Sequence, residues 1–355
     1  MGGTQCFKTK SKESNAVIKS NPVPPRKLSF GDSQVEIKQP PQIKSGNIKK
    51  QSKYLKQYKI IKLCGLGYYS KVYLCTNEKD PNTFYAVKTL KKKNINDSKS
   101  ISHILTEEKY LQNISSPYII NIIESFEINS RKYYVYPYYN LDLFNLIKLT
   151  NKNLPEIIIK NILSQIYCAI SYLHSKKILY RDLKPENIII DVDTGFVKLI
   201  DFGLAAYIEN ESIELNEICG TNEYIPPEVI GGIGYNYDFD YWTFGILTYE
   251  LIYGHPPFKG NNQKEVFNNI LSHQITFDDS ENKKISDEVK DLLKYMLKKD
   301  REERMEWVNI PYHPFFKGVV FDYKNSKVSN NYQSSKIIQT FVEKYRDYSA
   351  FVVDK

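Results

Sequence analysis

The chain changes its pattern of apolar and polar positions twice. Residues 1–56 show no apolar periodicity, only Ser, Lys and Gln with Pro22, Pro24, Pro25, Pro40 and Pro41. Such a stretch cannot bury enough apolar surface to offset ordering, so disorder is expected there. From Tyr58 onward, β-branched and aromatic residues gather in short runs. Tyr58–Leu74 predicts two strands around Gly65-Leu66-Gly67, and Phe84–Leu90 a third after the turn Asp80-Pro81-Asn82. A helical pattern covers Ser100–Asn113, then strands near Ile119–Phe126 and Tyr133–Pro137. Beyond Leu141 the three- and four-residue spacing of helices takes over, above all in Pro155–Ser175. Ile188–Asp191 and Val197–Ile200 read as short strands about Asp193-Thr194-Gly195, and helices then run to Phe316. A small strand-rich lobe before a larger helical one makes an α+β fold with a cleft between the lobes.

Composition narrows this little. Of the 355 residues, 41% are hydrophobic and 25% charged, enough for a real core. No apolar run reaches the length of a membrane span, and no secretory leader is evident, so a cytoplasmic protein is expected. The five cysteines, odd in number and without paired spacing, read as reduced thiols. Charge is more telling once located. Residues 1–56 hold 12 Lys/Arg against 3 Asp/Glu, while the rest of the chain is close to balanced despite a net charge of +8. A basic folded face for nucleic acid is therefore not expected.

Three motifs carry chemistry. Gly65-Leu66-Gly67-Tyr68-Tyr69-Ser70-Lys71-Val72 lies between two strands, where glycines let backbone amides approach phosphate oxygens. Alone it fits a plain hairpin better, since Gly-x-Gly turns are common there. In Tyr85-Ala86-Val87-Lys88 a lysine sits on a buried strand and needs an anionic partner, for which Glu107 is the candidate. The alternative is an edge lysine facing water. The third motif decides between these readings: Tyr180-Arg181-Asp182-Leu183-Lys184-Pro185-Glu186-Asn187 precedes Asp201-Phe202-Gly203. Phosphoryl transfer needs a carboxylate to accept a hydroxyl proton, a cation on the phosphate, and carboxylate or amide oxygens for magnesium.

On these residues the sequence resembles a eukaryotic protein kinase over about residues 58–320. The resemblance implies a bilobal fold: a basic extension (1–56), an N-lobe (57–138), a C-lobe (139–316) and a tail (317–355). It implies ATP and Mg2+ as cofactors. Gly65, Gly67, Ser70, Val72 and Ala86 would surround the nucleotide, and Lys88 would hold its phosphates and pair with Glu107. Asp182 would orient the substrate hydroxyl and accept its proton, Lys184 would neutralise the γ-phosphate, and Asn187 and Asp201 would hold magnesium. Glu228 would pair with Arg304, and Asp240 would anchor the catalytic loop. Ser70 in place of a third glycine and Pro226 in place of alanine depart from the family pattern. A pseudokinase scaffold and a small-molecule kinase are the rival readings.

Within the family, Tyr180-Arg181-Asp182, Cys219-Gly220-Thr221-Asn222-Glu223-Tyr224 and His313-Pro314-Phe315-Phe316-Lys317 are similar to the AGC group, above all to cyclic-nucleotide-dependent catalytic domains. Lys184 and Thr221 imply serine/threonine specificity. Glu186, Glu250 and Asp142 match positions that favour arginine upstream of the target. Arg26-Lys27-Leu28-Ser29-Phe30 offers Ser29 as an autophosphorylation site. Glu217 stands where the group has a phosphorylated threonine, with Arg181 and His103 as its expected partners. Activation through Ser212 or a partner is the alternative.

At the start, Gly2 suits myristoylation, and Cys6 with Lys8, Lys10 and Lys12 suits a second, palmitoyl or anionic-lipid, membrane signal. A plain disordered start is the alternative. A regulator is expected to be a separate chain, or absent, because no EF-hand or cyclic-nucleotide domain is evident. The tail is expected to wrap the small lobe, with Tyr348-Ser349-Ala350-Phe351 as its aromatic end, and Phe321 and Tyr323 to pack after the last helix.

Overall fold

The computed structural model describes residues 54–66, 70–90, 110–129, 131–210, 212–277, 285–319, 321 and 331–350, with side chains over 335–346 of the last segment. Gly2, Cys6, Ser29, Gly67, His103, Glu107 and Tyr323 lie outside it.

A six-stranded antiparallel sheet forms the first lobe, in the order β1-β2-β3-β4-β6-β5. Its strands are β1 (Tyr54–Leu55), β2 (Tyr58–Leu66), β3 (Ser70–Asn77), β4 (Asp80–Leu90), β5 (Glu124–Ile128) and β6 (Arg131–Pro137). The sheet starts four residues earlier than the apolar pattern suggests, because Tyr54 pairs with Lys59 through the backbone. The segment 119–123 is not a strand; only an isolated bridge joins Ile119 to Leu199. One face of the sheet closes over Tyr58, Cys75, Val87, Tyr133 and Val135.

The chain crosses to the helical lobe at residues 138–140. There follow β7 (Leu141–Asp142), α1 (Leu143–Leu149), α2 (Glu156–Ser175), β8 (Ile178–Leu179), β9 (Ile188–Ile190), β10 (Val197–Leu199) and β11 (Ala206–Tyr207). Helices α3 (Pro227–Ile230), α4 (Asp238–Tyr253), α5 (Gln263–Ser272), α6 (Asp287–Met296) and α7 (Asn331–Val342) complete it. Helix α4 has no polar stripe; it is apolar around most of its circumference and is buried accordingly, with Trp242, Phe244, Ile246 and Leu247 wholly enclosed. It forms the floor on which the catalytic loop rests. Two small sheets, β10-β9-β7 and β11-β8, pack against α2 through β10 and β8.

Phe321 packs edge-on against Tyr167 and Phe316, as expected. The described part of the tail differs from expectation: α7 packs against α2 of the helical lobe, where Ile338 and Val342 are wholly buried. Cys64, Cys75, Cys168 and Cys219 are free thiols. Among the described residues no helix is long and apolar enough to cross a membrane.

Candidate active site

Strand register builds the first half of the site. Gly65 pairs with Val72, and Val72 with Lys88, so the three lie in one row across β2, β3 and β4. Directly paired residues share a face, and so do residues two apart on one strand. Val72, Ala86 and Lys88 therefore project to the same side. A Cβ at Gly65 would meet only ordinary contact with Val72, at 3.5 Å. Packing inside the sheet thus does not demand glycine there. Ser70 opens β3 opposite Leu90.

Lys88 is 8% exposed, and its Nζ donates to Asp201 Oδ1 at 3.0 Å. This contact joins sheet to helical lobe. Burial works to raise the Asp201 pKa, but the Lys88 charge, its hydrogen bond, the Gly203 N–H and Lys184 together hold it below the ordinary carboxylate value. Asp201 has φ 63, and Arg181 φ 66. Left-handed backbone at non-glycine residues is uncommon and costs about 1–3 kcal/mol each. Here both outliers fall in the loops that bring the site together. A side chain at Gly203 would crowd Asp201 Oδ1 at 3.2 Å.

The second half hangs on Asp240. This fully buried carboxylate on α4 accepts the backbone N–H groups of Tyr180 and Arg181, each at 2.9 Å, and meets His174 Nε2 at 2.7 Å. Its anchoring role was expected; that of His174, 66 residues away with no motif around it, was not. Lys184 Nζ lies 2.9 and 3.0 Å from the Asp182 oxygens and 3.1 Å from Thr221 Oγ1. Asn187 Nδ2 donates to Asp182 Oδ2 at 2.6 Å and to its carbonyl at 2.9 Å. Asp182, Lys184, Asn187 and Thr221 thus form one hydrogen-bonded group. Phe202 is wholly buried edge-on to Tyr180, fixing the strand end that carries Asp201.

Glu228 and Arg304 pair as expected, through two parallel bonds of 2.9 Å, both residues buried. Around the substrate-facing segment, burial raises the Glu250 pKa, with nearby Glu186 and Glu223 raising it further. The Tyr224 hydroxyl donates to Glu250, a contact no sequence spacing signals. Burial also raises the Asp142 pKa, and Glu186 adds to the effect, but Asp142 is the N-cap of α1 and its two oxygens accept from the N–H and Nδ2 of Asn145. Asp142 therefore has a structural duty beside any role in recognition. Glu217 is exposed and lies 3.5 Å from Arg181 Nη1. Tyr235 bridges the same two residues: its hydroxyl accepts from Arg181 Nη1 at 2.9 Å and donates to the Glu217 carbonyl at 2.7 Å.

Comparison with known proteins bears directly on this arrangement. The model of the protein kinase domain matches residues 58–316. The chain belongs to the protein kinase family. Its relatives place it in the AGC group. It is 34% identical over 274 residues to the "cAMP-dependent protein kinase type 3" of Saccharomyces cerevisiae, covering 76% of this chain and 66% of that one. It is 35% identical over 252 residues to the "cAMP-dependent protein kinase catalytic subunit" of Dictyostelium discoideum, covering 71% and 37%. It is 36% identical over 275 residues to "Serine/threonine-protein kinase Sgk1-A" of Xenopus laevis, covering 75% and 61%. The chain thus spans from about a third to just under two thirds of the length of these relatives. Protein kinases in general use ATP and magnesium.

Proposed function

We propose that the chain is a protein kinase that transfers the γ-phosphoryl group of ATP to serine and threonine hydroxyls. The observation that carries this reading is the convergence of Lys88 with Asp201 beside the group Asp182, Lys184 and Asn187. Asp182 accepts the hydrogen bond of the substrate hydroxyl and then its proton as the hydroxyl oxygen bonds to phosphorus and the bond to ADP breaks. Lys184, shared between Asp182 and Thr221, supplies positive charge beside that hydroxyl. Lys88 presents its ammonium on the sheet face shared with Val72 and Ala86, where it holds phosphate oxygens.

The donor set fits magnesium, which prefers carboxylate, amide and phosphate oxygens. Asn187 turns its Nδ2 toward Asp182, which leaves Oδ1 on the other side as an acceptor. Asp201 is held ionised by Lys88 and the Gly203 N–H. Asn187 and Asp201 would hold the ion, which when bound neutralises phosphate charge. A pseudokinase reading is disfavoured because Lys88, Asp182, Asn187 and Asp201 are all present and the described contacts draw them together.

Glu186 and Glu250, with Glu223 near and Asp142 as a minor contributor, form a crowded acidic surface beside the catalytic loop. Like charges held close favour an incoming cation, so substrates with arginine upstream of the target are preferred. Ser29, preceded by Arg26 and Lys27, is a matching site in the chain itself. A segment ordered without phosphate is supported by three contacts: Arg301 pairs with Glu214 at 3.0 Å, Leu215 bridges Tyr235, and Glu217 lies 3.5 Å from Arg181. Acylation at Gly2 and Cys6 beside a basic stretch would bring the enzyme to anionic membranes. Intact-mass measurement of the amino-terminal peptide tests the acylation.

A peptide array incubated with MgATP tests the whole reading. Wild type should label serine peptides with basic residues upstream, and Asp201→Ala should label none. An array blank for wild type would overturn it.

A further inference from the structure

Helix α7 grips the hairpin that carries both proposed magnesium-holding residues. Asn187 directly precedes β9 and Asp201 follows β10 by two positions, and at this end Ile200 N–H donates to the Asn187 carbonyl at 2.9 Å. The far end of the hairpin is the turn 191–196, where Gly195 has φ +73. A Cβ at Gly195 would fall 1.8 Å from the Ser335 carbonyl oxygen and 2.7 Å from Gln339 N, so α7 seats directly on this turn. Gln339 donates to the Asp193 carbonyl, and Arg346, in the segment after α7, pairs with the Asp193 carboxylate.

The same segment reaches the crossover between the lobes. Asn140 Nδ2 donates to the Arg346 carbonyl at 3.0 Å. Asn140 leads into β7, whose Leu141 pairs with Ile190 of β9. The small sheet β7-β9-β10 is therefore held from two sides by one stretch of chain. Buried Ile338 and Val342 hold α7 down, and the exposed Arg346–Asp193 pair adds a smaller contribution. From α2, Gln165 adds its own support: its Oε1 accepts from Val197 N–H at 2.8 Å.

We propose that residues 335–346 are a positioning clamp that holds the hairpin between Asn187 and Asp201, and the adjoining crossover, in the geometry that receives a magnesium-bound nucleotide. The proposal rests on the magnesium reading above and adds the clamp to it. Arg346, Gln339 and Gly195 are positioning residues; none reaches the reacting atoms.

The test combines amide hydrogen exchange over residues 188–200 without nucleotide with MgADP affinity by titration calorimetry. Gly195→Ala must push α7 off the turn. It should speed exchange in the hairpin and weaken MgADP about fivefold or more, the lower end of coupling between distant sites. Should Gly195→Ala not fold, the double variant Gln339→Ala/Arg346→Ala decides, with a smaller loss in the same direction. Arg346→Lys should stay close to wild type. Val289→Ala, a buried change on α6, should lower the melting temperature without moving either readout. If the clamp variants leave hairpin exchange and affinity unchanged, while Asp201→Ala weakens MgADP, the clamp is wrong. If Asp201→Ala itself leaves MgADP binding intact, the magnesium reading falls instead.

Discussion

The backbone N–H of Arg181 donates to Oδ1 of Asp240 at 2.9 Å, tying the catalytic loop to the most buried helix among the described residues. Asp240 satisfies three donors at once, which a carboxylate can do and an amide cannot. Arg181, at φ 66, would relax without that anchor.

Asp240→Asn places an NH2 group against a backbone N–H. The unsatisfied donors should cost about 1–3 kcal/mol of stability. Turnover should fall about tenfold or more, since Asp182 follows Arg181 directly in the chain. Thermal melting and steady-state kinetics check both.

Arg304→Ala leaves Glu228 charged and buried without its partner. Breaking such a pair from one side costs about 3–5 kcal/mol. For a domain of this size that lowers the melting temperature by about 10 °C. Calorimetry reads it, and restoration by a second change, Glu228→Ala, should be only partial.

Glu217→Ala tests whether the activation segment works without phosphate. The 3.5 Å contact is exposed on the glutamate side, so solvent screens it. Turnover of unphosphorylated enzyme should fall less than about tenfold, with Glu217→Asp intermediate. Unchanged turnover in Glu217→Ala would assign activation to Ser212 or a partner.

Much of this was legible in the chain because kinase chemistry sits in contiguous motifs. Arg181–Asn187 and Asp201–Gly203 form tight loops, so spacing along the chain fixes spacing in the site. The strand row Gly65, Val72, Lys88 follows from alternation and register. His174, Tyr224 and Tyr235 were not legible: each acts through one hydroxyl or ring nitrogen reaching residues 18 to 66 positions away. Nothing in local pattern marks such a contact. The tail escaped for another reason. Its helix has an ordinary apolar face, and no local pattern marks α2 or the turn at Gly195 as the surfaces the helix meets.

Lys299 gives a pH-dependent prediction. Its Nζ makes no hydrogen bond among the described residues and sits 3.7 Å from the Phe258 ring centroid. Burial, then the nearby Arg304 charge, lowers its pKa to about 7. In the unfolded chain the group binds its proton up to about pH 10.4, so between these values the unfolded state holds more protons. The cost of burying the charge is therefore full below pH 7 and is relieved as pH rises toward 10. Lys299→Met should be more stable than wild type at pH 6, with the difference narrowing at pH 9, as read by urea denaturation.

The central claim is that Lys88, Asp182, Asn187 and Asp201 act together in phosphoryl transfer. The most direct measurement follows γ-labelled ATP into a serine peptide carrying arginine three residues upstream, with purified wild type and Asp182→Ala side by side. Wild type should transfer label to the serine hydroxyl, and Asp182→Ala should lose about a thousandfold or more, as removal of a general base and substrate-orienting group predicts. Equal labelling by both proteins, or none by wild type in saturating MgATP, would contradict the account.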